Sequence, residues 1–263
     1  MKFIIGKKLN MTQTWRGDEV VSVTKVKAGP CIIVQVKTGE KDGYQALQIG
    51  FGNKKKKNIR KPQKGHLEKL KSKNSKLETN LRYLREFRFN NSGDSRKTEV
   101  KIGDIIDVST FKPGDKVKAT GVSKGRGFQG VVKRHGFKGQ SKTHGTKDQV
   151  RMPGSIGATG PAHVFKGVRM PGRMGGDRVT VKNLEIIEVD EKNDILLIKG
   201  AIPGARNGLI LIQGDGELKL KAESEKVESE KEKDKEACKI ENKGQEDQRL
   251  NIKGKDENKK EKK

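Results

Sequence analysis

VTVKNLEIIEVDEKNDILLIKGAIPGARNGLILI, residues 179–212, reads as three short strands and two turns. The apolar, β-branched runs cover 179–190, 195–199 and 209–212, with Lys192-Asn193-Asp194 breaking the first gap and Pro203-Gly204 the second. Branched side chains pack well on a pleated surface, while Asn, Asp, Gly and Pro supply the dihedrals of tight turns. Short strands at this spacing predict a small antiparallel barrel. The same grammar recurs near the other end of the chain. Runs at 19–27, 31–37 and 44–51 are separated by Gly29-Pro30 and Asp42-Gly43. The predicted fold class is mainly β, with barrel strands drawn from 1–53 and from 179–220.

Composition limits how much of the chain that barrel can include. Of 263 residues, 30% are hydrophobic and 35% charged, so a core exists but does not extend everywhere. Lys and Arg number 59 against 34 Asp and Glu, a formal net charge of +25. An excess of that size calls for a polyanion, and cations that neutralise phosphates gain affinity by releasing condensed counterions. A membrane is the weaker candidate: no apolar run approaches the roughly 20 residues of a span, and no basic stretch carries a broad apolar face. The apolar start, Phe3-Ile4-Ile5, is short for a signal peptide, which points to the cytosol. Cys31 falls in an apolar run and Cys238 in a charged tail, so neither a disulfide nor a zinc site is expected.

Between the two strand groups lie segments of different character. Residues 54–97 form a basic insertion that opens with Lys54-Lys55-Lys56-Lys57. Leu77, Leu81, Leu84 and Phe87 recur at roughly helical spacing, predicting an amphipathic helix with its Lys/Arg face free for phosphates. Over 98–122 the barrel is expected to resume, through an alternating stretch around Gly103-Asp104 and a turn at Phe111-Lys112-Pro113-Gly114-Asp115. Beyond that the periodicity stops. Residues 118–182 hold fourteen Lys and Arg against Asp148 and Asp177, a net +12 in a glycine-dense stretch. So long a segment without its own packing makes sense if RNA is the missing partner. The tail, 221–263, alternates acids with bases almost without apolar residues, and reads as a disordered polyampholyte.

Catalytic and cofactor readings do not survive their context. Gly125-Arg126-Gly127-Phe128-Gln129-Gly130 matches the dinucleotide fingerprint, yet Val131-Val132-Lys133-Arg134-His135-Gly136 is too basic and too soon broken to be the packed helix that motif requires. His66, His135, His144 and His163 show no ligand spacing and no nucleophile partner. His66 fits the start of a helix, whereas His135 and His144 lie where they could stack on bases or donate to phosphate. Paired carboxylates would have to come from a nearly acid-free segment. No enzyme activity, metal, cofactor or small-molecule substrate is therefore expected. The competing readings are a nucleoid-type architectural DNA-binding protein and a phosphate-transferring enzyme.

Particular residues go beyond composition. Gly6-Lys7-Lys8-Leu9-Asn10-Met11-Thr12-Gln13, Ala28-Gly29-Pro30-Cys31, Asp42-Gly43-Tyr44-Gln45-Ala46 and Leu84-Arg85-Glu86-Phe87 stand in one order with Ser123-Lys124-Gly125-Arg126-Gly127-Phe128-Gln129-Gly130 and Lys133-Arg134-His135. Thr143-His144-Gly145, Pro153-Gly154-Ser155-Ile156-Gly157, Phe165-Lys166-Gly167, Met170-Pro171-Gly172-Arg173-Met174-Gly175 and Lys199-Gly200 follow. Across about residues 1–220 this order resembles the large-subunit ribosomal protein three family, bacterial type. The resemblance implies a translation-factor-like six-stranded β-barrel, a basic partly helical insertion over 54–97, and a long irregular extension over 123–178 that penetrates rRNA. It implies rRNA and neighbouring large-subunit proteins as partners, a part in early subunit assembly, and residence in the cytoplasmic large subunit.

Carried onto this chain, Lys124, Arg126, Lys133, Arg134, Lys138, Lys142, Arg151, Lys166, Arg169 and Arg173 are the expected phosphate contacts. Phe128, Phe137 and His135 are the expected stacking groups, with His144 beside them. Ser155, Ile156, Gly157, Ala158 and Thr159 map to the extension tip, nearest the peptidyl-transferase centre. The tip stretch 154–163 has no glutamine, so the methylated glutamine of some members has no counterpart there. Asn10 stands where the family usually has glycine, and the insert at 69–79 is longer than usual.

Overall fold

The computed structural model describes residues 1–71, 80–88 and 100–220. The chain divides into two compact units, one of residues 1–31, 51–53 and 108–217, the other of 32–50, 54–107 and 218 onward.

The first unit is the barrel. It is built from β1 (Lys2–Arg16), β2 (Glu19–Ala28), β7 (Lys116–Val122), β10 (Arg178–Asp190), β11 (Ile195–Lys199) and β12 (Leu209–Gly214), closed in the order β1-β12-β7-β10-β11-β2 with β2 returning to β1. Every pairing is antiparallel, so the expected closed barrel of six strands is what the chain forms. Closure removes the sheet edges over the paired lengths and encloses Ile4, Val26, Ala119, Ile186, Leu196, Ile198, Ile210 and Ile212, all almost inaccessible to water. Between β10 and β11 the turn is made by Asp190, whose carboxylate accepts from the Lys192 and Asn193 N–H groups at 3.1 and 3.2 Å, while Asp194 takes a positive φ.

One ion pair ties the start of β1 to the turn before β7. The Lys2 ammonium bonds the Asp115 carboxylate, which also accepts the Lys112 N–H at 2.6 Å. Burial alone would raise the Asp115 pKa, but these donors hold it below the usual carboxylate range. A carboxyl depressed in the fold contributes stability above its unfolded pKa, and that contribution is lost as pH falls through the folded value. Asp115→Asn is therefore expected to cost about 1.5–3 kcal/mol at neutral pH, with the difference from the parent chain shrinking in acid. Urea melts at neutral and acidic pH check it; an equal difference at both would refute the assignment.

The second unit carries a four-stranded sheet in the order β5-β4-β3-β6, with β3 at Cys31–Lys37, β4 at Ala46–Asn53, β5 at Leu81–Arg88 and β6 at Ile105–Ile106. Strands expected in the barrel at 31–37 and 44–51, and the alternating stretch near Gly103, thus belong to this separate sheet. Strand pattern is set by local sequence, whereas sheet membership is set by pairing partners far along the chain. A one-turn helix α1 (Gly39–Asp42) joins β3 to β4, and α2 (Lys61–Lys71) follows the lysine run. His66 lies within α2, not at its start, and its Nε2 is 2.7 Å from Gln48 Oε1.

The predicted amphipathic helix is corrected too: Leu81–Arg88 is a strand, and residues 77–79 lie outside the described residues. Leu81 and Leu84 pack with Val34, Leu67 and Ile102, and the Lys54 N–H donates to the Asn80 carbonyl at 2.7 Å. Arg-Tyr-Leu-Arg-Glu-Phe-Arg carries aromatic residues that suit a pleated sheet, and a free edge on β4 decided between two spacings that the short run left ambiguous. On this unit Tyr44 Oη donates to Glu86 at 3.0 Å and accepts from Lys37 at 2.7 Å, while Lys37 pairs with Glu86 at 2.8 Å. The hydrogen bond from Lys37 holds the Glu86 carboxyl below its ordinary pKa.

Candidate nucleic-acid interface

The basic extension is a stem that leaves the barrel and returns to it. The β7–β10 ladder ends at Val122 opposite Arg178, and the two chains stay side by side. The Ser123 N–H donates to the Asp177 carbonyl at 2.8 Å and the Arg126 N–H to the Met174 carbonyl at 2.9 Å. Beyond them β8 (Gly127–Gln129) pairs with β9 (Gly172–Met174). The expectation of no periodic structure past Val122 is thus corrected: a three-residue ladder is too short to show in a pattern of alternation.

Two glycines permit this close passage. Gly175 has φ +76°, and a Cβ there would stand 2.2 Å from the Lys124 carbonyl oxygen. Gly139, also φ +76°, would place a Cβ 2.4 Å from the Val150 oxygen, where the Gln140 N–H donates at 2.9 Å. Backbone cannot yield as a side chain can, so both sites need glycine.

The predicted residues fall into groups. Lys124, Arg126, Lys133, Lys138, Lys142, Arg151, Lys166, Arg169 and Arg173 are all exposed, and none forms an ion pair among the described residues. Phe128 is 75% exposed and stands directly across the β8–β9 ladder from Arg173, so an apolar ring and a guanidinium project side by side. A base can stack on the ring while its phosphate meets the cation. His144 is exposed and holds a positive φ of 58°.

Arg134, His135 and Phe137 behave differently. They are half-buried on and after α3 (Val131–His135), a one-turn helix closed by Gly136 at φ 74°. The Arg134 guanidinium donates to the Met170 carbonyl at 2.6 Å, and His135 Nε2 lies 3.1 Å from the same oxygen. Their polar groups fasten the outgoing chain to the returning one. The His135 and Phe137 rings are 6.1 Å apart and tilted.

Ser155, Ile156, Gly157, Ala158 and Thr159 are exposed, with Ser155 Oγ donating to the Gly157 carbonyl at 2.9 Å. Phe165, 58% exposed and edge-on to His163 at 5.5 Å, is a further stacking candidate that the sequence reading passed over. Its signal was an aromatic residue between His163 and Lys166. The one-turn α3 lies between strands that pair antiparallel, not in a parallel βαβ unit, and so cannot seat a dinucleotide in the manner its glycine pattern suggested. Among the described residues no group of His, Cys, Asp and Glu could hold a metal, and no helix is long and apolar enough to cross a membrane.

Known proteins resemble this chain in sequence. The family model for ribosomal protein L3 matches residues 95–195, which span the stem and its strands β7 and β10. The large ribosomal subunit protein uL3 of Roseiflexus is 48% identical over 212 residues, covering 80% of this chain and 95% of that one. The uL3 proteins of Pelotomaculum thermopropionicum and Thermotoga petrophila are 47% and 48% identical, each over 81% of this chain. No support for a nucleoid protein comes from these relatives. With a closed barrel, a basic stem and near-half identity along four-fifths of its length, the chain belongs to the ribosomal protein L3 family.

Proposed function

We propose that the protein is a structural, non-enzymatic constituent of the cytoplasmic large ribosomal subunit, and that it grips large-subunit rRNA through residues 123–178. In this reading the barrel is a platform and the stem carries cations into RNA. Residues 155–159, without a charge, make the nearest approach to the peptidyl-transferase centre. Early binding of this kind helps to nucleate subunit assembly beside neighbouring ribosomal proteins. The observation that supports the reading best is a row of nine exposed cations with no carboxylate partner among the described residues, mounted on a stem paired at its base. Such groups have no folding role that would account for them. The relatives' shared name, large ribosomal subunit protein, supports the location.

Salt dependence tests it. Replacing Lys124, Arg126, Arg169 and Arg173 by Gln is expected to flatten the plot of log affinity against log salt by about 0.7–0.9 for each phosphate that is no longer neutralised. Filter binding of the full chain to a large-subunit rRNA fragment measures this, and an unchanged slope would refute the assignment.

A further inference from the structure

We propose that the tip of the β1–β2 hairpin is a docking strand for a second protein, one that contributes an extended segment bearing lysine or arginine. The proposal rests on the chain's place in the large subunit, but not on the rRNA contacts of the stem.

The hairpin outruns its barrel. β12 pairs with β1 through Lys2–Lys7 and β11 with β2 through Val23–Lys27. Past those limits Lys8 still bonds residues 207 and 208, and the Ser22 carbonyl accepts the Gly200 N–H. From Met11 to Arg16 and from Glu19 to Val21, each strand has only the other as backbone partner among the described residues. Two outer edges therefore stand open.

Open edges are ordinarily guarded by lysine, proline or a bulge, since a bare row of N–H and C=O groups templates further strands. Here the edge reads Met11-Thr12-Gln13-Thr14-Trp15, uncharged, without proline and strand-forming. Its bulge lies at the base, between Lys8 and Met11, and leaves the tip regular. One face of that tip also carries exposed apolar side chains. Met11, Gln13 and Trp15 share it, with Trp15 directly opposite Val20; Met11 is 50% exposed, Trp15 69% and Val20 49%. Thr12 and Thr14, on the other face, are half-buried. The only tryptophan of the chain thus lies on the open side of an open strand.

Charge selects the occupant. Arg16 is engaged by Glu185 at 2.9 Å, which leaves Asp18 in the turn and Glu19 at the start of β2 as exposed acids at the tip, in no ion pair among the described residues. In a chain of net charge +25 this corner repels phosphate. It suits instead a cationic side chain, which can meet the carboxylates and lie over the indole face while its backbone extends the sheet.

The test places a photo-cross-linking amino acid at Gln13 of the full chain, lets it enter large subunits in cells, and reads the linked species by mass spectrometry after irradiation. The expected product is a peptide of another protein with lysine or arginine beside the linked residue. Its yield should fall about tenfold in Trp15→Ala, as for loss of an interface anchor, and likewise in the paired charge reversal Asp18→Lys with Glu19→Lys. That surface double variant stands in if Trp15→Ala proves unstable. Affinity for the rRNA fragment should be unchanged in both, which separates this proposal from the stem's role. Cross-links to rRNA, to a second copy, to residues 221–263 of the same chain, or none above background would each overturn it, as would loss of rRNA affinity in step with the cross-link.

Discussion

Excising residues 124–173 is expected to leave a folded barrel that binds a large-subunit rRNA fragment on the order of 10³-fold more weakly at physiological salt. The fold should tolerate the cut because the stem's two chains are already adjacent at its base. Ser123 and Asp177 are joined by hydrogen bonds of 2.8 and 3.2 Å, so joining Ser123 to Met174 leaves Met174-Gly175-Gly176 as a three-residue hairpin loop between β7 and β10. Connections of that length and glycine content are ordinary for antiparallel neighbours. Closing a shorter loop also costs less chain entropy, by about 2 kcal/mol here, so the melting temperature should not fall. Binding should collapse for a separate reason. The cut removes eleven Lys and Arg and one acid, taking the net charge from +25 to +15, and takes Phe128 and Phe165 with them. Circular dichroism checks the fold and filter binding the affinity; a loss smaller than tenfold would mean that the barrel, not the stem, holds the RNA.

Gly175→Ala should cause a large part of that loss with one methyl group. The residue holds φ +76°, which costs an L-residue about 1–2 kcal/mol, and its new Cβ would sit 2.2 Å from the Lys124 oxygen and 3.1 Å from the Gly125 Cα. Both obstacles are backbone, so the chains must part. Parting them breaks the Arg126–Met174 hydrogen bond and the register that sets Phe128 across from Arg173. Affinity is expected to fall by one to two orders of magnitude, about 1.4–2.7 kcal/mol, while the barrel's melting temperature is nearly unchanged. Gly125→Ala is the matched control: a Cβ at Gly125 meets nothing within 4 Å. Equal affinities for the two variants would show that the stem's close passage does not matter to binding.

The barrel's ingredients were open to view in the chain. The runs at 19–27, 179–190, 195–199 and 209–212 lie where strands form, because branched apolar residues between turn formers leave few other options. The basic stretch announced itself by charge. What misled was assignment beyond a few residues' reach. Residues 31–37 and 44–51 look like the barrel strands beside them yet pair in another sheet. Leu81–Arg88 satisfies helical spacing as well as alternation, and its pairing in the β5-β4-β3-β6 sheet broke the tie.

Within the stem the same division holds. Residue type alone marked Lys124, Arg126, Phe128, Arg169 and Arg173 as candidates, but not which cations stand free and which are engaged. Arg134 and Lys138 are four residues apart in the same basic run, yet the first donates to the Met170 carbonyl and the second is exposed. The open hairpin edge was likewise invisible, since Met11-Thr12-Gln13-Thr14-Trp15 reads like any strand until the lengths of its neighbours are known. Strands, charge and the places where glycine suits a turn were already written in the order of residues, because they depend on side-chain chemistry and local dihedrals. Which strands pair, which cations stay unengaged and where an edge lies bare emerged only with the folded chain, because each depends on groups that meet after distant segments have come together.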